Sequence, residues 1–238
     1  MFRQAFLYDI VQLSDGGKFM PTPFSGRCEM RRKTEDRRIS FVKAAGKLFV
    51  EQGLGSVTME AIASKAGASK ATLYGYFPSK EALFEAFVVE AGKGARQTFI
   101  TASEAADLGD VLRRLGGAYL NLITRPEVID INRLIIGEAG RQPELTRIFY
   151  ENGPRNVIAA ICEVLETLMA RGLLKRTGVR QAGLYFKSLC DAGLVERQLW
   201  GLDGPPDEQT LTTAVADATE VFLAAFAENS CAVVAVTD

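Results

Sequence analysis

The chemistry open to this chain is bounded first by a missing residue type: none of its 238 residues is histidine. That removes the commonest general base and the commonest metal ligand, and with them Ser-His-Asp, Cys-His and HExxH chemistry. The cysteines, Cys28, Cys162, Cys190 and Cys231, are scattered without CxxC spacing. They read as reduced thiols of a cytoplasmic protein, not as a disulfide or zinc framework. Cys162 and Cys190 fall on apolar helical stretches, where they are small core residues or redox-sensing thiols. With no metal-ligand cluster and no phosphate-binding glycine loop, no cofactor, metal or catalytic constellation is expected. The chain does concentrate a different chemistry in Thr58–Lys80, TMEAIASKAGASKATLYGYFPSK. Hydroxyls, amines and phenols gather there at Thr58, Ser69, Lys70, Thr72, Tyr74, Tyr76 and Lys80, with the small Ala71 among them. Such groups suit phosphate oxygens and base edges.

The charge distribution agrees. The net charge of −1 hides an asymmetry. Residues 31–80 carry ten Lys/Arg against four Asp/Glu, whereas residues 81–238 carry fifteen against twenty-two. A small basic segment on an acidic body fits a polyanion-binding module joined to a part with another task. Within it, Arg31, Arg32, Lys33, Arg37 and Arg38 form a run that is either a solvated face or an arm for phosphates or the minor groove.

Leu, Ala, Glu, Lys and Arg recur at helical spacing and no strand-like alternation appears, so the predicted fold class is all-α. Residues 1–30, with Gly16-Gly17, Pro21 and Pro23, read as a flexible tail. They lack the apolar run of a signal peptide, since Asp9, Gln12 and Ser14 interrupt it. Met30, which follows a stretch with no helical pattern and opens MRRKTEDRR, is an alternative translation start. Helix one is predicted over about Glu35–Gln52, ended by Gly53. Helix two covers about Met59–Lys65, capped by Thr58 and stapled by Val57 and Ile62. Helix three spans Lys70–Tyr76, capped by Ser69 and stopped ahead of Pro78. Helices two and three with their glycine turn form a helix-turn-helix, in which Ile62, Ala63 and Ala66 brace Leu73 and Phe77. The N-terminal turn of helix three is then free to enter a major groove. A long helix four runs from Lys80 to roughly Thr101. Further helices are predicted at about 107–123, 127–139, 143–171 (with a break considered at Gly153-Pro154), 178–200 and 207–228.

This pattern, with helix one before it and LYGYFPSKEALF after it, resembles the TetR/AcrR family of regulators. The matching residues include Ala45, Phe49, Gly53, Thr58, Ile62, Ala63, Ala66, Gly67, Leu73, Tyr74, Tyr76, Phe77, Lys80, Leu83 and Phe84. The resemblance implies DNA contacts from Thr58, Lys70, Thr72, Tyr74, Tyr76 and Lys80. Gly75 departs from the family, many of whose members carry a large residue there. INRLIIGEAGRQPELTRIFYENGP, Ile131–Pro154, resembles the AefR-like class of ligand domain.

The expected organisation is a flexible tail (1–30), a three-helix DNA-binding head (31–79), a helical-bundle ligand-binding and dimerisation body (80–229) and a C-terminal tail (230–238). Expected partners are double-stranded operator DNA, a small apolar or amphipathic effector and a second copy of the chain. No stretch is long and apolar enough to cross a membrane. Tyr119, Asn132, Glu138, Arg141, Tyr150 and Trp200 are candidate ligand contacts, each equally able to serve as an interhelical or surface group. The last two predicted helices carry Leu184, Leu189, Leu194, Leu211, Val215, Phe222 and Phe226. They either pair with a second subunit or fill the monomer core. Repression relieved by a ligand is the expected mechanism. Ligand-independent DNA binding, activation, and an enzyme on a helical scaffold are the alternatives.

Overall fold

The computed structural model describes residues 25–102, 105 and 107–228, with side chains from Thr34 onward. Residues 1–24 of the expected tail, the expected C-terminal tail and Cys231 lie outside the described residues, as does the side chain of Cys28. The chain divides into a unit of residues 1–37 and a unit of residues 38–238, so head and body share the larger unit.

α1 spans Ser25–Gln52, so the expected tail is already helical over residues 25–30. Pro23 is the last proline before it, and extending a helix already nucleated by packing costs little per residue. Arg31–Lys33 therefore lie on α1. Phe41, Val42, Ala45, Leu48 and Phe49 are buried along one face of α1. Gly53 ends the helix at φ +79°, its N–H donating to the Phe49 carbonyl at 2.9 Å. α2 (Met59–Lys65) begins where the Thr58 hydroxyl accepts from the Ala61 N–H at 3.2 Å. Val57 and Ile62 are both buried beside that cap. Gly67, at φ +61°, makes the turn to α3 (Lys70–Tyr76). The Ser69 hydroxyl caps α3 by accepting from the Thr72 N–H at 3.1 Å.

α4 (Lys80–Ala91), capped by Ser79, is shorter than expected. Gly92-Lys93-Gly94 breaks it, with Gly94 at φ +82°, and the chain resumes as α5 (Ala95–Ala102). Two glycines in three residues were enough to stop a helix whose apolar spacing continued. α6 (Leu108–Ile123) and α7 (Pro126–Glu138) follow, started by the Asp107 cap and by proline at the first helical position. α8 (Pro143–Asn152) and α9 (Pro154–Ala170) part at Gly153-Pro154, the break considered from sequence. The single helix expected over 178–200 is two, α10 (Val179–Asp191) and α11 (Leu194–Leu199), because Gly193 adopts φ +84°. α12 (Glu208–Phe226) completes the described chain. Among the described residues the only extended pairing is an isolated bridge between Leu174 and Ala227, which ties the α9–α10 connection to the end of α12.

Apolar residues pack into two clusters. One lies in the head and extends beyond it, joining Phe41, Phe49, Leu73 and Phe77 to Phe84 of α4, Ile131 and Ile135 of α7 and Leu145 of α8. The other fills the body around Leu115, Ile161, Leu165, Phe186 and Phe222. The helices approach closely where side chains are absent. A Cβ on Gly116 would lie 3.1 Å from Val215 Cγ1 and 3.3 Å from Cys190 Sγ. Arg133 of α7 caps α11, donating to the Leu199 carbonyl at 3.1 Å and to the Gln198 carbonyl.

The apolar faces of the last helices mostly serve the protomer's own core. Val215 and Phe222 are buried, and Phe222 stacks on Phe226 and meets Phe186 edge-on. Leu184, Leu189, Leu194, Leu211 and Phe226 are half-buried. The exposed large apolar residues of α10 and α12 are instead Tyr185, 51% exposed, and Val221, 53% exposed.

Candidate nucleic-acid interface

The site is a short helix held by its base. Leu73 of α3 is fully buried and Phe77, its C-cap residue, nearly so. The Arg38 guanidinium lies 5.4 Å from the Phe77 ring centre. With that side anchored, Lys70, Ala71, Thr72, Tyr74 and Gly75 face solvent. Ser69 and Thr72 are linked hydroxyl to hydroxyl at 2.8 Å, which orders the first turn of α3. Tyr76 differs from Tyr74: it is half-buried, its ring 5.4 Å from Phe41. Only part of the Tyr76 side chain is therefore on offer to a partner.

Two lysines of the candidate set are already engaged. Lys70 forms an ion pair with Glu60 of α2, and its ammonium also lies 5.7 Å from the Tyr74 ring centre. The hydrogen bond between them pulls the Glu60 carboxyl below its ordinary range and holds Lys70 above its own. Both side chains are exposed, so the pair adds little stability. A phosphate can compete for this lysine. Lys80, half-buried at the start of α4, donates to the Leu54 carbonyl at 2.6 Å. Its ammonium ties α4 to the α1–α2 turn and keeps two donors free. Sequence reasoning did not single out Glu60; its one signal was an acid in the exposed first turn of α2, ten residues before Lys70.

The candidate ligand contacts are dispersed over the body. Tyr119 of α6 is buried and donates to Asp191 Oδ1 at 2.7 Å; burial and then the neighbouring carboxylate drive its phenol far above the ordinary range. Lys187 completes that cluster, 2.5 Å from Asp191 Oδ2. Asn132 donates to the Val128 carbonyl of its own helix at 2.7 Å. Glu138 accepts from Gln142 at 3.0 Å and pairs with the exposed Arg141 at 3.6 Å. A Cβ on Gly53 would sit 3.7 Å from Glu138 Oε1, which places this end of α7 against the α1–α2 turn. Tyr150 and Trp200 are exposed. Burial raises both described thiols, Cys190 up to about 12. These are thiols of packed helices rather than reactive thiolates. No helix among the described residues is long and apolar enough to cross a membrane, and no group of potential metal ligands occurs among them.

A braced helix-turn-helix on a larger all-helical body defines a DNA-binding regulator. Comparison with known proteins agrees at both ends of the chain. Residues 41–87 match the tetR family of bacterial regulatory proteins, and residues 110–228 match the C-terminal domain of AefR-like transcriptional repressors. The solved flavonoid-responsive regulator FrrA is 32% identical, over 82% of this chain and all of that one, with a TM-score of 0.69. A TetR-family transcriptional regulator from Mesorhizobium loti is 26% identical over 81% of this chain and 98% of its own, with a TM-score of 0.72. An uncharacterised HTH-type transcriptional regulator of Mycobacterium tuberculosis is 46% identical over 57 residues, 24% of this chain. The chain covers only 28% of that curated relative's length. The chain belongs to the TetR family of transcriptional regulators, with an AefR-like C-terminal domain, and is a DNA-binding regulator rather than an enzyme.

Proposed function

We propose that this regulator is a repressor that binds operator DNA as a homodimer and is released by a small-molecule effector held in its body. The observation that carries the reading is the solvent-facing N-terminal turn of α3, Ser69–Thr72, held out by the buried Leu73 and Phe77. Thr72 and Ala71 reach base edges, with Tyr74 beside them. Thr58, Ser69, Lys70, Tyr76 and Lys80 contact the phosphates flanking the groove. Two such helices in a dimer read half-sites about one turn of DNA apart, roughly 34–36 Å, or a multiple of it. Tyr185 and Val221, the outward apolar residues of α10 and α12, supply part of the contact between subunits.

Release needs an effector that prefers the form unable to bind DNA. Polar and close contacts join body to head at α4, tied to the α1–α2 turn by Lys80, and at the end of α7 near Glu138. Movement of either shifts the head and the spacing of the recognition helices. The flavonoid-responsive relative and the AefR-like repressor domain support a ligand-responsive repressor.

The test is fluorescence anisotropy of labelled DNA from upstream of the regulator's own coding region, against random DNA of the same length. Tight, salt-sensitive binding at one dimer per site is expected, with release by compounds that raise the melting temperature. If Thr72→Ala weakens both DNAs equally, the assignment of the first turn of α3 to base reading fails. Compounds that bind yet never alter operator affinity would leave a ligand-independent DNA-binding protein.

A further inference from the structure

We propose that the open groove between α5 and α6 is an anion-anchored effector site, taking a small organic anion with an apolar body. The proposal rests on the effector-responsive reading above and names the chemistry of the ligand. The groove holds about 550 Å3, within the size range of small-molecule sites. Its α6 wall is a single helical face, with Arg114, Gly117, Ala118, Asn121 and Leu122 at spacings of three and four. Ala95 and Ala102 of α5 add to the apolar lining. The Thr98 hydroxyl is turned back to the Gly94 carbonyl at 3.1 Å, and the Asn121 amide to the Gly117 carbonyl at 2.8 Å.

Two cations remain. Arg114 lines the groove from α6 and Arg125 from the turn between α6 and α7. Neither has a carboxylate partner among the described residues. Arg125 reaches only the Ala91 carbonyl, at 3.5 Å, the limit of a hydrogen bond. Arg113, next in sequence, is by contrast held by Asp110 at 2.5 Å and Asp107 at 3.7 Å. No Asp or Glu is among the groove's described lining residues. In a body with more acids than bases, a groove with no acid among its described lining residues and two guanidinium groups lacking a carboxylate partner among them is a local anion trap. A guanidinium fork matches a carboxylate or sulfonate with two parallel hydrogen bonds.

Gly117 is an independent sign. Glycine inside a helix weakens it relative to alanine, so a mid-helix glycine calls for a reason. Gly116 has one, the close approach of Val215 and Cys190. At Gly117 no neighbour supplies one: a Cβ there would meet nothing within 4 Å. What the missing side chain does is leave the groove open against the α6 backbone, between the two arginines. A bound ligand body would fill that space.

The test uses the full-length protein and two fluorescent probes of similar shape, 1-anilinonaphthalene-8-sulfonate and its uncharged counterpart N-phenyl-1-naphthylamine. The anionic probe is expected to bind once per protomer. In Arg114→Gln/Arg125→Gln its Kd should rise about tenfold or more, the size expected for losing a charge-assisted pair, while the neutral probe changes far less. Gly117→Leu should exclude both probes without lowering the melting temperature, which also covers the case of a misfolded arginine variant. Gly117→Ala should raise the melting temperature and weaken the anionic probe. Unchanged binding of the anionic probe in all variants overturns the site. Equal loss of both probes in the arginine variant overturns the anion anchor. Groove binding that follows these variants but never releases operator DNA would leave the site standing and sink the effector reading instead.

Discussion

Replacing Lys80 separates two roles that one side chain can hold together. Its ammonium donates to the Leu54 carbonyl at 2.6 Å, joining the start of α4 to the α1–α2 turn. A hydrogen bond with one charged partner contributes about 1.5–3 kcal/mol. At a half-buried site the lower end applies, so Lys80→Met, which keeps the apolar stem, should cost about 1.5 kcal/mol. For a domain of this size that lowers the melting temperature by about 3–6 °C. Differential scanning fluorimetry reads this directly. Lys80→Arg should recover part of the loss, since the guanidinium can still donate. Two further ammonium donors remain for a phosphate, so the same Lys80→Met protein should show a salt slope of binding smaller by about one unit per subunit. An unchanged melting temperature would refute the structural tie, whatever happens to DNA binding. A lower melting temperature with an unchanged salt slope would confine Lys80 to holding α4.

Ser69→Ala removes the cap of α3 and should cost about 1 kcal/mol in urea unfolding; an equal stability to wild type would mean the first turn of α3 is ordered by something other than this hydroxyl. Tyr185→Glu with Val221→Glu should give a folded monomer in analytical ultracentrifugation, because both residues face outward. Phe222→Ala should instead cost about 3–5 kcal/mol as a core cavity, and a dimer surviving the first pair would move the interface elsewhere. The Asp207 carboxyl, capping α12, is held below its ordinary range by the side-chain and backbone hydrogen bonds from Thr210. A lowered folded-state pKa means that its contribution is full at neutral pH and disappears as pH falls through that lowered value. The melting-temperature gap between wild type and Asp207→Ala should therefore narrow as pH falls below the ordinary aspartate range and through the lowered value, and a gap unchanged by acid would mean the cap does not depend on the charge.

Local chemistry in the sequence determined the head. Thr58, Ser69 and Ser79 cap the helices expected of them, Gly53 and Gly67 take left-handed backbone, and Leu73 and Phe77 are buried. These features depend on residues within about one turn of each other, and such interactions are written in the chain order itself. The prolines at 126, 143 and 154 marked helix starts for the same reason. Tertiary structure alone decided where long side chains and apolar faces went. Val215 and Phe222 carried the same helical pattern whether they met a second subunit or their own core, and only packing against Phe186 and Gly116 settled it. Lys70 and Lys80 found Glu60 and Leu54, ten and twenty-six residues away. The Arg114–Arg125 groove exists only because α5 turns at Gly92–Gly94 and lies along α6. A sequence pattern reports which face of a helix is apolar, but the partner of that face is chosen by contacts far apart in the chain, which periodicity does not encode.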